Sequence, residues 1–107
     1  MKLPIPVQTY FDADFGTSND APLEAFAPDA VVKDEAKTHT GHADIRTWWQ
    51  SAKARYQHRS QPVEMIQDGD RTIIRAQVTG QFPGSPALLT FAFQLRDGCI
   101  ERLEIGS

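Results

Sequence analysis

Hydrophobic positions recur with a helical period in the first half of the chain and alternate in the second. Val7, Tyr10, Phe11 and Phe15 stand at i, i+3, i+4 and i+8, which is one apolar face, and Pro4 and Pro6 suit a first helical turn. A helix is predicted from about Pro6 to Phe15. Gly16 to Asn19 reads as a turn. Asp20 fits an N-cap, with Pro22 in the first turn and Leu23 and Phe26 on a short second helix that Pro28 stops. Ala30 to Lys33 reads as the first strand. After a polar loop, Gly41 to Gln57 sets Ile45, Trp48, Trp49, Ala52 and Tyr56 on one stripe. Asp44 lies in its opening turn, and Lys53, Arg55 and His58 lie toward its end, where the dipole favours cations.

Beyond this long helix the period becomes 2. Pro62 to Gln67 alternates, Asp68-Gly69-Asp70 is a tight hairpin signal, and Arg71 to Phe82 sets Ile74, Ala76 and Val78 against Ile73, Arg75 and Gln77. Pro83-Gly84-Ser85-Pro86 turns the chain. Ala87 to Leu95 is apolar on both parities for most of its length, so both faces of this strand are expected to be covered. Asp97-Gly98 forms the last hairpin before a final strand from Cys99 to Ile105. Helices followed by a meander of strands predict an α+β fold, with helices on one face of a mostly antiparallel sheet. A second copy of the chain is the simplest cover for the other face, which predicts a homodimer.

The 107 residues allow one compact core, so a single domain spanning 1–107 is expected. The net charge is −3 without a basic stripe, which argues against nucleic acid or an anionic membrane as partner. No apolar run is long enough for a membrane span, and the start lacks the h-region of a signal peptide. A cytoplasmic protein is expected. The single cysteine, Cys99, cannot form an internal disulfide, in keeping with a reducing compartment, and has no evident base or cation beside it.

The order helix, short helix, strand, long helix, strands, with Phe-Ala-Pro-Asp-Ala-Val-Val-Lys-Asp from Phe26 and Gly-His-Ala-Asp-Ile-Arg-Thr-Trp-Trp from Gly41, resembles the nuclear transport factor 2-like superfamily. Its SnoaL-like and ketosteroid-isomerase-like members are the most similar. The resemblance implies a cone-shaped fold, a strongly curved sheet closed by helices around an apolar cavity, usually in a dimer. It is poorly specific for activity, because this fold hosts many chemistries. Val7-Gln8-Thr9-Tyr10 is similar to the segment that supplies an oxyanion-hole tyrosine, and Val32-Lys33-Asp34 to the one that supplies a general-base aspartate. By that resemblance Asp34 moves a proton alpha to a carbonyl while Tyr10 donates to the oxygen where charge develops. The sequence departs from the isomerases at Leu89 to Phe93, where an acid is replaced by Thr90, a weaker donor.

Each candidate also has a structural reading. Tyr10 sits on an apolar stripe and serves equally as a core aromatic, and Asp34 as a strand-end acid. Phe11 shares the stripe of Tyr10 and is a second candidate for the cavity wall. Trp48 and Trp49 point about 100° apart on a helix, so only one can face a cavity. His39 could reach the cavity mouth as an acid or base, whereas His39 and His42 straddle a helix start and do not make a metal site. Arg75 reads as an exposed charge. Two functions follow from these residues. One is a cofactor-free, metal-free enzyme acting on a small hydrophobic carbonyl compound, with Asp34 and Tyr10 catalytic and Trp48, His39, Thr90 and Phe11 contacting substrate. The other is a non-catalytic module that binds an apolar ligand or pairs with another chain.

Overall fold

In the computed structural model, which describes residues 1–16 and 20–107, the first apolar face folds as helix α1 (Ile5–Phe15). Its buried residues are Pro6, Val7, Tyr10, Phe11 and Asp14. Phe15, expected on that face, is half exposed, and the Arg59 guanidinium lies 5.4 Å from its ring centroid. At 100° per residue, position 14 falls nearer the centre of the Val7–Phe11 stripe than position 15 does. Most of the turn expected at Gly16 to Asn19 lies outside the described residues.

The second helix is shorter than predicted. It is a 3₁₀ turn, Leu23–Ala25, and Phe26 already opens strand β1 (Phe26–Asp34). Pro28 ends no helix but sits in β1, where the register against the last strand shifts between Phe26 and Val31, a place that tolerates a missing N–H. The polar loop contains strand β2 (Lys37–Thr40), antiparallel to β1 with Asp34 opposite Lys37. Its two-residue turn is Glu35-Ala36, at φ of 51° and 63°, so the hairpin forms without the glycine or asparagine that signals one.

Helix α2 (Gly41–Tyr56) buries Ile45, Trp49 and Lys53. Strands β3 (Arg59–Asp68), β4 (Arg71–Thr79), β5 (Ala87–Arg96) and β6 (Cys99–Gly106) complete a six-stranded sheet of order β2-β1-β6-β5-β4-β3. Among the described residues only the β1–β6 pair is parallel. The helices pack on one face of this curved sheet, the α+β arrangement expected.

Two strand limits differ from the pattern. β3 begins before Pro62, which is tolerated because β3 is an edge strand with a bulge between Pro62 and Glu64. β4 stops at Thr79, short of Phe82, because Gly80 presses against the end of α2. A Cβ on Gly80 would lie 2.8 Å from the Tyr56 carbonyl oxygen and 3.0 Å from His58 Cα. The Gln81 N–H donates to that same carbonyl at 2.7 Å. The chain turns there, and Phe82 leaves the sheet.

In β5, Phe91 and Phe93 point to the helices and are buried, opposite Ile74 and Thr72 of β4. Leu88, Thr90, Ala92 and Gln94 have the other parity. They share the outer face with Arg75 and Gln77 of β4 and with Arg102 and Glu104 of β6, so that face is mixed in character.

Candidate active site

A cavity of about 360 Å³ lies between the helices and the inner face of the sheet. Tyr10 and Asp14 enter it from α1, Asp34 from the end of β1, and Trp48, Ala52 and Tyr56 from α2. His58 comes from the link between α2 and β3 and Ser60 from the start of β3, and Val78, Phe82, Leu89, Phe91 and Ile105 complete an apolar wall. Its size is at the lower end for a small-molecule site.

Asp34 reaches the cavity by strand parity. Val32 is fully buried, so the residue two further on shares its face. One carboxylate oxygen, Oδ2, accepts a hydrogen bond from Trp48 Nε1 at 3.0 Å. Burial raises the Asp34 pKa above its usual value and the Glu35 charge adds to this, while the Trp48 hydrogen bond and the charges of His39 and His58 oppose it. Tyr10 is 1% exposed, its ring held by Phe11, Trp49 and Phe93 at centroid distances of 5.2, 5.4 and 5.5 Å. Burial, then the negative charges of Asp14 and Asp34, push its pKa well above 10.0, so the phenol stays protonated and can only donate to an anion.

A second polar group sits on the same cavity. Lys53 Nζ donates to Asp14 Oδ1 at 2.8 Å, to the Asp14 carbonyl at 2.6 Å and to the His58 carbonyl at 2.6 Å, which uses all three ammonium protons. His58 Nδ1 lies 2.9 Å from the same Asp14 Oδ1. Burial is the largest single influence on Asp14 and raises its pKa, but the hydrogen bonds and charges of His58 and Lys53 together hold it below the usual value. At the rim, the Tyr56 hydroxyl donates to Glu35 Oε1 at 2.9 Å.

The other predicted residues fall in different places. Trp48 lines the cavity, while Trp49 is 1% exposed and packs in the core. His39 lies outside the main cavity, its ring 6.0 Å from that of Trp48, in an adjoining cleft of about 230 Å³ shared with Lys37, Thr47 and Arg55. Phe11 packs behind the wall against Phe91 and Phe93 at 5.2 and 5.8 Å, and is not itself part of the lining. Thr90 is on the outer face, because Leu89 and Phe91 take the inward parity. His42 Nε2 meets the Phe26 carbonyl at 2.9 Å. Arg75 is exposed, 3.9 Å from Glu64.

Sequence reasoning passed over Asp14 and took Lys53 and His58 only for helix-end cations. A signal was present. Asp14 stands on the stripe of Val7, Tyr10 and Phe11, and Lys53 on that of Ile45 and Trp49, so each puts a charge where a hydrophobe belongs. Two such charges of opposite sign on facing helices indicate a buried pair.

A family model described as the SnoaL-like domain matches residues 7–103. Among solved structures, a candidate polyketide cyclase from Sinorhizobium meliloti is 50% identical, with a TM-score of 0.91 over 96% of this chain and 94% of that one. A protein of ketosteroid isomerase-like fold from Catenulispora acidiphila, solved with trimethylamine, is 23% identical with a TM-score of 0.84, covering 99% of this chain and 87% of that one. A candidate isomerase of the SnoaL-like family from Agrobacterium tumefaciens is 17% identical with a TM-score of 0.76, over 94% of this chain and 92% of that one. The last two likenesses concern the fold alone. Among curated proteins none matches the chain.

Proposed function

Since the chain belongs to the SnoaL-like domain family, we propose that it binds a small hydrophobic carbonyl compound and moves a proton within it, without a cofactor. The observation that carries this reading is that Asp34 and Tyr10 line one cavity whose remaining wall is largely aromatic and aliphatic. Asp34 is the base. Its carboxylate takes a proton from the carbon alpha to the carbonyl, the C–H pair becomes the enolate double bond, and the carbonyl π pair moves onto oxygen. Tyr10, kept protonated by burial, donates to that oxygen. Burial also makes Asp34 a better base than a solvated carboxylate once it is ionised. Trp48 holds one Asp34 oxygen and leaves the other for the substrate.

The 50% identity to a candidate polyketide cyclase supports an enolisable, polyketide-like carbonyl as the substrate class, because cyclisation of such a chain begins with the same proton abstraction. The cavity volume suits a ligand of about two fused rings. 2-Tetralone has that size and an acidic alpha carbon. Its hydrogen–deuterium exchange in D₂O, followed by NMR, is expected to accelerate with the protein, to stop with Asp34→Asn, and to slow about 10²-fold with Tyr10→Phe. Exchange that persists in Asp34→Asn, or no acceleration by the unmodified protein, refutes the proposal. A homodimer, with the second copy on the outer sheet face, belongs to the same proposal.

A further inference from the structure

His58 is the one imidazole on the cavity wall, and its Nδ1 is committed to a carboxylate that is 1% exposed. That carboxylate is fixed in turn. Lys53, 4% exposed, holds both its Oδ1 and its backbone carbonyl, and also holds the His58 carbonyl, so one ammonium group sets the positions of acid and imidazole together. A structural salt bridge requires only Asp14 and Lys53. The imidazole adds nothing to charge balance while neutral, yet it lines the cavity beside Asp14. Asp14 itself lines the cavity, and among the described residues its Oδ2 is fully buried without a hydrogen-bond partner.

We infer that the Asp14–His58 pair is a second proton-transfer group of the cavity, His58 Nε2 accepting a proton from a hydroxyl group on the ligand. The chemistry follows from the hydrogen bond. With Nδ1–H donated to Asp14, the Nε2 lone pair is left free as base, and the imidazolium formed when it takes the O–H proton is stabilised by the Asp14 charge. The hydroxyl electron pair stays on oxygen as an alkoxide or phenoxide, and the proton returns to it or passes to the next group along the ligand. Asp14 is the positioning residue, and Lys53 anchors it without donating to the ligand, since its three protons are taken. The charged or titratable groups around His58 include Tyr10 and Asp14 on α1, Lys53 and Tyr56 on α2, and Asp34 and Glu35 at the β1 end. Asp34 thus works on carbon and His58 on oxygen, which narrows the substrate to hydroxylated carbonyl compounds.

This rests on the cavity being the ligand site proposed above, but its test does not depend on Asp34. The nitrogen shifts of ¹⁵N-histidine protein, read at about pH 8 where an ordinary imidazole is neutral, report the tautomer of each ring. His58→Gln assigns the resonance, and His39→Gln with His42→Gln assigns it by elimination if that variant does not fold. The expected result is a protonated Nδ1 and a free Nε2, with the Nε2 resonance moving on addition of 2-naphthol, a two-ring hydroxyl donor. Asp14→Asn is expected to weaken the tautomer preference, and unchanged shifts there would remove Asp14 from its role. A protonated Nε2, or an Nε2 resonance unmoved by 2-naphthol up to its solubility limit, overturns the inference. Loss of 2-tetralone exchange in Asp34→Asn alongside a protonated Nε2 leaves the Asp34 reading standing while this one fails.

Discussion

Replacing Lys53 by methionine tests the buried ion pair most directly. Methionine keeps the length of the side chain and its packing over Trp49 while removing the charge and three donated hydrogen bonds. Both partners are almost fully buried, with side-chain exposures of 4% for Lys53 and 1% for Asp14. Breaking such a pair from one side costs about 3–5 kcal/mol, most of it from the carboxylate left uncompensated. His58 still bonds Asp14 Oδ1, which argues for the lower figure, about 3 kcal/mol. At about 4 °C per kcal/mol for a domain of this size, Tm should fall by about 12 °C. Removing the orphaned charge as well, in Asp14→Asn with Lys53→Met, should recover about 2 kcal/mol, a coupling that additive sites do not show.

Urea unfolding followed by tryptophan fluorescence measures Lys53→Met, Asp14→Asn and the double variant on one scale. The pH dependence supplies a second check. Because the folded pKa of Asp14 lies below its usual 3.8, the pair contributes stability above the unfolded value that is lost as pH falls through the folded one. In Lys53→Met one cause of that lowering is gone, so the penalty should shrink as pH drops toward the carboxylate range. A loss below about 1 kcal/mol at neutral pH, or strictly additive double-variant energies, would refute the reasoning.

Asp34 behaves with the opposite sign. Its folded pKa is raised, so the group favours the folded state below the unfolded value and that contribution is lost as pH rises through the folded pKa. The acid limb of any Asp34-dependent exchange should therefore lie above 3.8, and Trp48→Phe, by removing a donor to the carboxylate, should move it higher; a limb that stays put removes Trp48 from the site. Gly80→Ala forces a methyl onto the backbone at Tyr56 and His58 and should cost about 1–3 kcal/mol by chemical denaturation, whereas an unchanged midpoint would mean that the approach is not tight. Sedimentation should give a dimer whose population depends on concentration, and Leu88→Glu, on the outer sheet face, should dissociate it; a monomer at all concentrations ends the proposed pairing.

Periodicity alone determined the class of fold. The apolar stripes of α1 and α2 and the alternation of β4 are local signals, set by residues three, four or two apart, and each stripe had to bury itself against the others. The hairpins at Asp68-Gly69-Asp70 and Asp97-Gly98 were legible for the same reason, since those residues take φ above zero cheaply. The Glu35-Ala36 turn was not, because its positive φ values are imposed by the pairing of β1 with β2, which lies beyond any local preference. Asp34 and Tyr10 could be singled out by resemblance, and strand parity and a helical stripe then carry them to one cavity. Thr90 could not be sorted this way, because β5 is apolar on both parities and its inward face is decided by register against β4 and β6, and Phe11 could not because the α1 stripe does not say which of its aromatics lines the cavity and which packs behind it. What only the tertiary structure decided is the meeting of Asp14, Lys53 and His58. They come from α1, α2 and the link between α2 and β3, and no spacing along a chain encodes the packing of three segments around one buried charge.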